Sequence, residues 1–242
     1  MSNFAERLDA IQGEVAAAAD RAGRSADEVT LLAVSKTHPP EAILEALEAG
    51  QTLFGESKVQ EARAKAPLLP GRARWHFIGH LQKNKIRHAL PIFELFHGID
   101  TLELARDLDR IAGEAGLFPR VLLEVNVAGE SSKFGFNPAR LRADLEALLA
   151  LERVQIGGLM TIAPFATEAE SSRRHFVALR ELRDALQEEF RLPLPDLSMG
   201  MSGDFAVAIE EGSTLVRVGT ALFGSRSGKG WRPAREQGTF DD

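Results

Sequence analysis

Residues 30–50 read TLLAVSKTHPPEAILEALEAG and contain one complete strand–helix unit. The unit begins with a short apolar run at residues 30–35, and a helical pattern follows at residues 39–49. Pro39 stands where the first turn of a helix tolerates proline, and Gly50 stands where a helix end favours glycine. A short strand followed by a helix is the repeating unit of a parallel α/β sheet.

The same unit recurs along the chain. Apolar runs lie at residues 30–35, 52–55, 75–79, 95–99, 121–127, 155–161, 197–202 and 215–223, and helical patterns lie at 39–49, 58–65, 82–90, 102–115, 138–149, 168–190 and 203–211. Eight units in a chain of 242 residues predict a single (β/α)8 barrel, whose usual length is about 250 residues. The alternative is an open doubly wound sheet. No strand is followed by G-x-G-x-x-G, so nothing favours dinucleotide binding.

An additional helix is predicted before the first strand. Phe4, Leu8, Ile11 and Val15 recur at helical spacing, and Gly23 ends the segment. We expect residues 1–225 to form one barrel domain. Residues 226–242 are rich in Gly, Arg and Pro and are predicted to be a flexible C-terminal tail.

Composition restricts the partners of this chain. The formal net charge of −6 gives no overall attraction for nucleic acid or anionic lipid, so an anionic ligand needs a local site. The absence of cysteine excludes disulfides and thiolate chemistry. Neither a signal-peptide pattern nor an apolar stretch of about 20 residues is present. We therefore expect a soluble, cytoplasmic protein.

Lys36 stands directly after the first apolar run, at the strand end where (β/α)8 barrels carry their active sites. Taken alone, it is best explained as a lysine whose charged head reaches solvent at the barrel mouth. The functional interpretation is a Schiff-base lysine, because partial desolvation favours the neutral amine that attacks an aldehyde.

Two glycine-bearing segments near the end of the chain predict a phosphate site. Residues 198–203 read SMGMSG before a predicted helix, and residues 217–220 read RVGT in the last apolar run. Barrels often bind phosphate through the loops after their seventh and eighth strands. Glycine allows close approach of the backbone, and Ser202 and Thr220 add hydroxyl donors.

The segment at residues 75–85 reads WHFIGHLQKNK. His76 and His80 are four residues apart on a predicted strand without an evident third ligand, so we expect histidines at the edge of the core and no metal site. Lys83, Lys85 and Arg87 are expected to form a solvated helix face.

Several of these motifs occur in one order and together resemble a known family. They are LAVSK at 32–36, FGE at 54–56, VQE at 59–61, WHFIGHLQ at 75–82, GLM at 158–160, LSMGMS at 197–202 and VRVGT at 216–220. The resemblance is to the pyridoxal phosphate homeostasis proteins and covers residues 31–224. It implies a cofactor, pyridoxal 5'-phosphate, and a role in holding or delivering it inside the cell.

The resemblance also implies the site residues. Lys36 would carry the cofactor as a Schiff base, Ser202, Gly219 and Thr220 would hold its phosphate, and Arg217 would face its pyridine nitrogen. Met201 belongs to the same predicted cofactor site, and no residue is assigned a catalytic role. One departure is Ser57, which stands where the family usually has asparagine, and we leave it out of the site.

The alternative function is a pyridoxal phosphate-dependent amino-acid racemase, since the family resembles the barrel domain of alanine racemase. Racemases of that type use a tyrosine as second base and a C-terminal domain, whereas this chain has no tyrosine and only a short tail after the last strand. We therefore expect a carrier, a monomer, whose possible partners are apoenzymes that need the cofactor. A pure interaction module would explain neither Lys36 nor the phosphate loops.

Overall fold

The computed structural model describes residues 3–130, 133–224 and 231–233. In this part of the chain, eight parallel strands form a closed barrel in the order of the sequence. They are β1 (Thr30–Val34), β2 (Leu53–Glu56), β3 (Arg74–Phe77), β4 (Leu95–Ile99), β5 (Arg120–Glu124), β6 (Gln155–Met160), β7 (Asp196–Met201) and β8 (Leu215–Val218). Closure is made by β1 and β8, with Leu32 paired to Arg217 and Ala33 to Val218. The predicted (β/α)8 barrel is confirmed, and the open sheet is wrong.

Helices surround this barrel. They are α1 (Phe4–Arg21), α2 (Pro40–Glu48), α3 (Val59–Lys65), α4 (Ile86–Ala89), α5 (Leu102–Ala115), α6 (Pro138–Leu149), α7 (Arg173–Phe190), α8 (Phe205–Glu210) and α9 (Thr220–Phe223). Short 3₁₀ turns occur at Ala26–Glu28, Ala66–Leu68, Lys83–Lys85 and Ala169–Ser172. The turn at Lys83–Lys85 takes up a third of the segment predicted to be helical at residues 82–90, and α4 has only four residues.

The additional N-terminal helix is confirmed as α1. Asn3 and Glu6 form a reciprocal capping box that satisfies backbone N–H groups at its start. Phe4, Leu8 and Ile11 are buried on its inner face. Helix α1 packs against α8 and α9, so it covers the side of the barrel where β7 and β8 lie.

The interior of the barrel is apolar in one part and polar in another. Its apolar part is a cluster of six buried residues from six strands: Leu32, Leu53, Leu95, Leu122, Met160 and Leu215. Since side chains alternate along a strand, residues two positions further on face the same interior. These positions include His97, Glu124 and Arg217, all buried. The polar part therefore lies towards the C-terminal ends of the strands.

The last apolar run was predicted too long. Residues 215–223 do not form one strand, because β8 ends at Val218 and α9 begins at Thr220. Gly219 separates them with φ −114° and ψ −80°, outside the extended conformation. Likewise α8 is shorter than the predicted helix at 203–211, since the Asp204 carboxylate accepts the backbone N–H of Met201 in a turn before it. Thr220 therefore lies at the start of a helix and not on a strand.

Most of the predicted tail at residues 226–242 lies outside the described residues, and so does residue 225, the last of the predicted barrel domain. Trp231, Arg232 and Pro233 are described. The backbone N–H of Trp231 donates to the Thr37 carbonyl at 2.8 Å. These three residues therefore lie beside the loop that carries Lys36.

Candidate functional site

A cavity of about 330 Å³ opens at the C-terminal ends of the strands. All six predicted site residues line it: Lys36, Met201, Ser202, Arg217, Gly219 and Thr220. Val34, His38, Ile78, Ile162, Pro164, Phe165, Ala166, Gly203, Asp204 and Gly224 complete the lining. The structure thus brings together predicted site residues that are up to 184 positions apart, from Lys36 to Thr220, and it places Ser57 outside the lining.

Lys36 follows β1 by two residues and is half-buried at the cavity wall. Ser35 before it is fully buried. Thr37 after it has φ +68°, in the left-handed region that a β-branched residue rarely adopts. The chain therefore turns at Lys36 and Thr37, beside the cavity that Lys36 lines.

The ends of β7 and β8 are joined by a hydrogen bond between two predicted site residues. The backbone N–H of Gly219 donates to Ser202 Oγ at 3.1 Å. Since this oxygen acts as acceptor, the Ser202 hydroxyl hydrogen remains to donate to another acceptor. Gly219 also packs closely on β1, because a Cβ here would lie 3.4 Å from the Val34 Cβ.

Gly200 has a different role from the one that we predicted for the glycines of this segment. It has φ +93°, and a Cβ here would lie 2.6 Å from the Ala208 Cβ. Gly200 does not line the cavity. It is required because α8 packs directly on the end of β7, and not for approach to a ligand.

Arg217 lies inside the barrel at the base of the cavity and is 5% exposed. Its Nη1 donates to the carbonyl and the hydroxyl of Ser198, and its Nη2 donates to the carbonyl of Thr161 at 2.9 Å. Burial lowers the pKa of Arg217 to about 10, and the nearby Glu124 and Asp204 oppose this change. The guanidinium is therefore a cation and a pure donor at neutral pH.

The bonds of Arg217 fix the direction of a longer chain of hydrogen bonds. Ser198 Oγ accepts from Arg217, so its own hydrogen is directed to His97 Nδ1, 2.9 Å away. The Nε2 of His97 then carries the proton and donates to His76 Nδ1 at 3.0 Å. Burial lowers the pKa of His76 to about 4 and that of His97 well below 6.5, so both rings are neutral.

His76 is thus part of the barrel interior, and its partner His97 was missed by the sequence analysis. The alternation of residues 95–99 was the available signal, since it places His97 on the same face as Leu95. In the described residues, no group of three or more His, Asp or Glu side chains is arranged to hold a metal ion.

His80 lies apart from the Lys36 cavity. Its Nδ1 is 3.0 Å from an Asp100 carboxylate oxygen. Its ring stacks on the Phe134 ring, with 4.0 Å between the ring centroids. Phe134 and Glu124 line a second cavity of about 200 Å³, which shares Ile162 with the first. Burial raises the pKa of Glu124 to about 7, and Asp100 raises it further while Arg217 lowers it.

The donor set of the larger cavity fits pyridoxal 5'-phosphate. The cofactor needs an amine for its aldehyde, a donor for its ring nitrogen and several donors for its phosphate. The wall offers Lys36, Arg217 and the hydroxyls of Ser202 and Thr220. A volume of about 330 Å³ falls within the range of small-molecule sites.

Comparison with known proteins agrees with this geometry. A family model described as "Alanine racemase, N-terminal domain" matches residues 7–227. The structure of PipY from Synechococcus elongatus PCC7942 with bound pyridoxal phosphate has a TM-score of 0.81 at 44% identity, and the match covers 91% of this chain and all of PipY. The fold and the lysine at the end of β1 therefore define an alanine racemase-type barrel.

More similar sequences define the family. Over 225 residues the chain is 45% identical to a pyridoxal phosphate homeostasis protein from Aquifex aeolicus (strain VF5), which covers 93% of this chain and 99% of the relative. It is 43% identical over 232 residues to the protein of the same name from Escherichia coli (strain K12), covering 93% and 98%. The chain belongs to the pyridoxal phosphate homeostasis family, which confirms the resemblance.

Alanine racemase itself is a distant relative in fold. The enzyme from Clostridium difficile 630 has a TM-score of 0.72 at 14% identity, and the match covers 95% of this chain but 59% of the racemase. This similarity shows a common barrel fold and is not evidence of a common activity.

Proposed function

We propose that this chain binds pyridoxal 5'-phosphate covalently through Lys36 and acts in the homeostasis of that cofactor inside the cell. The single observation that carries the proposal is the meeting of six predicted residues from three distant segments around one cavity. The cofactor supplies an aldehyde that reacts with a primary amine. Lys36 provides that amine at the cavity wall.

The other lining residues bind and orient the ligand in this proposal. Ser202 donates its hydroxyl hydrogen to a phosphate oxygen while it accepts the Gly219 N–H. Thr220 adds a second hydroxyl at the start of α9. Met201, with 37% of its surface exposed, provides an apolar contact at the rim.

Arg217 faces the ring nitrogen in the proposal. Two of its N–H groups, Nε–H and one at Nη2, have no hydrogen-bond acceptor among residues 3–130, 133–224 and 231–233. A guanidinium can donate to the nitrogen lone pair but cannot accept a proton. The nitrogen therefore stays unprotonated, which makes the ring a weak electron sink and disfavours transamination and decarboxylation.

A role as carrier, without efficient catalysis, follows from what surrounds Lys36. Racemisation needs an acid on the face of the substrate opposite to the lysine. The chain has no tyrosine, and His80 bonds to Asp100 and is not among the lining residues. Of the acid groups that do line the cavity, the His38 ring is stacked on Phe223 and the Asp204 carboxylate accepts the Met201 N–H. Transfer to apoenzymes, the monomeric state and the cytoplasmic location stay predictions. No described helix has both the length and the apolar character that a membrane span requires.

The test is the visible absorption spectrum of the purified protein before and after borohydride, followed by peptide mapping. We expect an imine band in the wild-type protein, a stable label on Lys36 after reduction, and no band in Lys36→Ala. Lys83 and Lys85 are solvent-side lysines of the same chain and provide an internal control. A label on either of them in place of Lys36 would refute the assignment.

A further inference from the structure

A buried group of three ionisable side chains contacts the loop of Lys36. We call Glu56, Glu61 and Lys65 the buried triad. The Nζ of Lys65 donates to Glu56 Oε1 at 2.8 Å and to Glu61 Oε1 at 2.7 Å. The side chains of Lys65, Glu56 and Glu61 are 0%, 0% and 5% exposed. Burial raises the pKa of Glu56 to about 7, although Lys65 opposes this change.

The buried triad holds the residue before Lys36. Lys65 Nζ donates to the Ser35 carbonyl at 3.0 Å, and Ser35 Oγ donates to Glu56 Oε1 at 2.8 Å. The backbone of Ser35 is therefore held by Lys65 and its side chain by Glu56.

The triad also holds the residue after Lys36. The backbone N–H of Thr37 donates to Glu61 Oε1. The carbonyl of Thr37 accepts the N–H of Trp231, whose ring lies 5.2 Å from Lys65 Nζ. Thr37 is thereby kept at φ +68°, a conformation that its own β-branched side chain disfavours. The triad thus forms hydrogen bonds with both sequence neighbours of Lys36, namely Ser35 and Thr37.

A purely structural role explains these contacts less well. An ion pair between Lys65 and Glu56 would by itself join α3 to β2. Buried ion pairs are also often no more stabilising than apolar side chains of the same volume. Neither consideration accounts for the bonds to Ser35 and Thr37, which restrict the loop and keep one residue in a strained conformation.

We propose that the buried triad is a positioning device for Lys36, with Glu61 as its central positioning residue. It fixes the peptide on both sides of the lysine, so that the amine faces the cavity before a ligand arrives. Ordering the loop in advance lowers the entropy that binding would otherwise lose. This inference rests on the proposed function, because it concerns the same lysine.

Two variants test the proposal in full-length protein. Glu61→Gln keeps the size and an acceptor but replaces the charge-assisted bonds to Thr37 and Lys65 by weaker neutral ones. Thr37→Gly keeps the N–H bond but frees the backbone. Hydrogen bonds to charged groups exceed neutral ones by about 1 kcal/mol, so we expect the dissociation constant of pyridoxal 5'-phosphate to rise about five-fold in Glu61→Gln. In Thr37→Gly we expect a rise of about two- to five-fold, because glycine lets the loop leave the conformation that positions Lys36. The induced circular dichroism of the bound cofactor should fall as its orientation loosens.

Measuring the stability of the variants distinguishes a role of the triad in positioning Lys36 from a role in supporting the fold. In Thr37→Gly the unfolding midpoint of the cofactor-free protein should be unchanged or raised, because relief of the strained conformation offsets the greater freedom of glycine. Two matched controls lie away from the cavity. Glu45→Gln weakens a similar bond from the Phe4 N–H, and Arg191→Gly frees the other described non-glycine residue with positive φ. Both controls should bind the cofactor like the wild-type protein.

The outcomes distinguish this inference from the proposed function. Wild-type protein that fails to attach the cofactor at Lys36 would refute the proposed function and this inference with it. Normal attachment in the wild-type protein, with unchanged affinity and dichroism in Thr37→Gly, would overturn the positioning role alone. Thr37→Gly carries the test if Glu61→Gln does not fold. Weaker binding in Thr37→Gly that is matched by a lower midpoint would equally count against positioning.

Discussion

Glu124→Gln should change the pH dependence of stability in a defined direction. Burial raises the pKa of Glu124 to about 7 from the ordinary 4.5. Because the folded state holds this proton more tightly than the unfolded state, the contribution of Glu124 to stability is fully present below about pH 4.5. It is lost as the pH rises through about 7. Glutamine has no such proton, so the variant should not lose this contribution.

The magnitude follows from the two pKa values. They differ by about 2.5 pH units, and each unit corresponds to about 1.36 kcal/mol, so full ionisation costs the folded state about 3.4 kcal/mol. About 1.4 kcal/mol of this cost is present at pH 5.5, and nearly all of it at pH 8. The free energy of unfolding of Glu124→Gln, relative to the wild-type protein, should therefore rise by about 2 kcal/mol between pH 5.5 and pH 8.

Urea unfolding of cofactor-free protein at both pH values measures this difference. Any constant effect of the amide on packing cancels, since only the change with pH is compared. Glu188→Gln, at an exposed position on α7, provides the matched control for replacing a glutamate by glutamine. If the stability of Glu124→Gln relative to the wild-type protein were the same at pH 5.5 and pH 8, burial would not raise the pKa of Glu124.

Two further predictions concern binding and catalysis. Ser202→Ala and Thr220→Val should each raise the dissociation constant of the cofactor about ten-fold or more, since hydrogen bonds to charged groups contribute about 1.5–3 kcal/mol. Fluorescence titration measures this, and unchanged affinity in both variants would place the phosphate elsewhere. Alanine and serine incubated with cofactor-loaded protein should racemise more slowly than about 1 per second, the lower range of typical enzymes. Chiral chromatography measures the rate of racemisation, and a rate of about 1 per second or faster would restore the racemase alternative.

The fold could be predicted because its signal is local and repeated. Each apolar run and each amphipathic stretch is visible in a short window, and residues 95–99, 102–115 and 138–149 match β4, α5 and α6 at both ends. The errors occur where neighbouring segments decide the conformation. Gly219 turns the chain out of β8, and the Asp204 carboxylate delays α8, so the predicted elements at 215–223 and 203–211 are too long.

The site was predictable to the extent that its residues stand at strand ends and carry motifs. Lys36, Ser202 and Thr220 could be named because barrel strands direct their C-terminal ends to one mouth. No sequence spacing joins Glu61 to Thr37 or His97 to Ser198, and these contacts were not predicted. His97 and Ser198 are 101 residues apart, and they meet because closure of the barrel brings the side chains of β4 and β7 into one interior.

The sequence by itself therefore determined the repeating unit, the barrel, and the family to which the chain belongs. Tertiary structure decided which polar groups are buried, and hence their charge. Glu124 and His76 have unremarkable neighbours in the sequence, yet burial raises the pKa of one to about 7 and lowers that of the other to about 4. Desolvation depends on what surrounds a group in three dimensions, and strand closure brings those surroundings from distant parts of the chain.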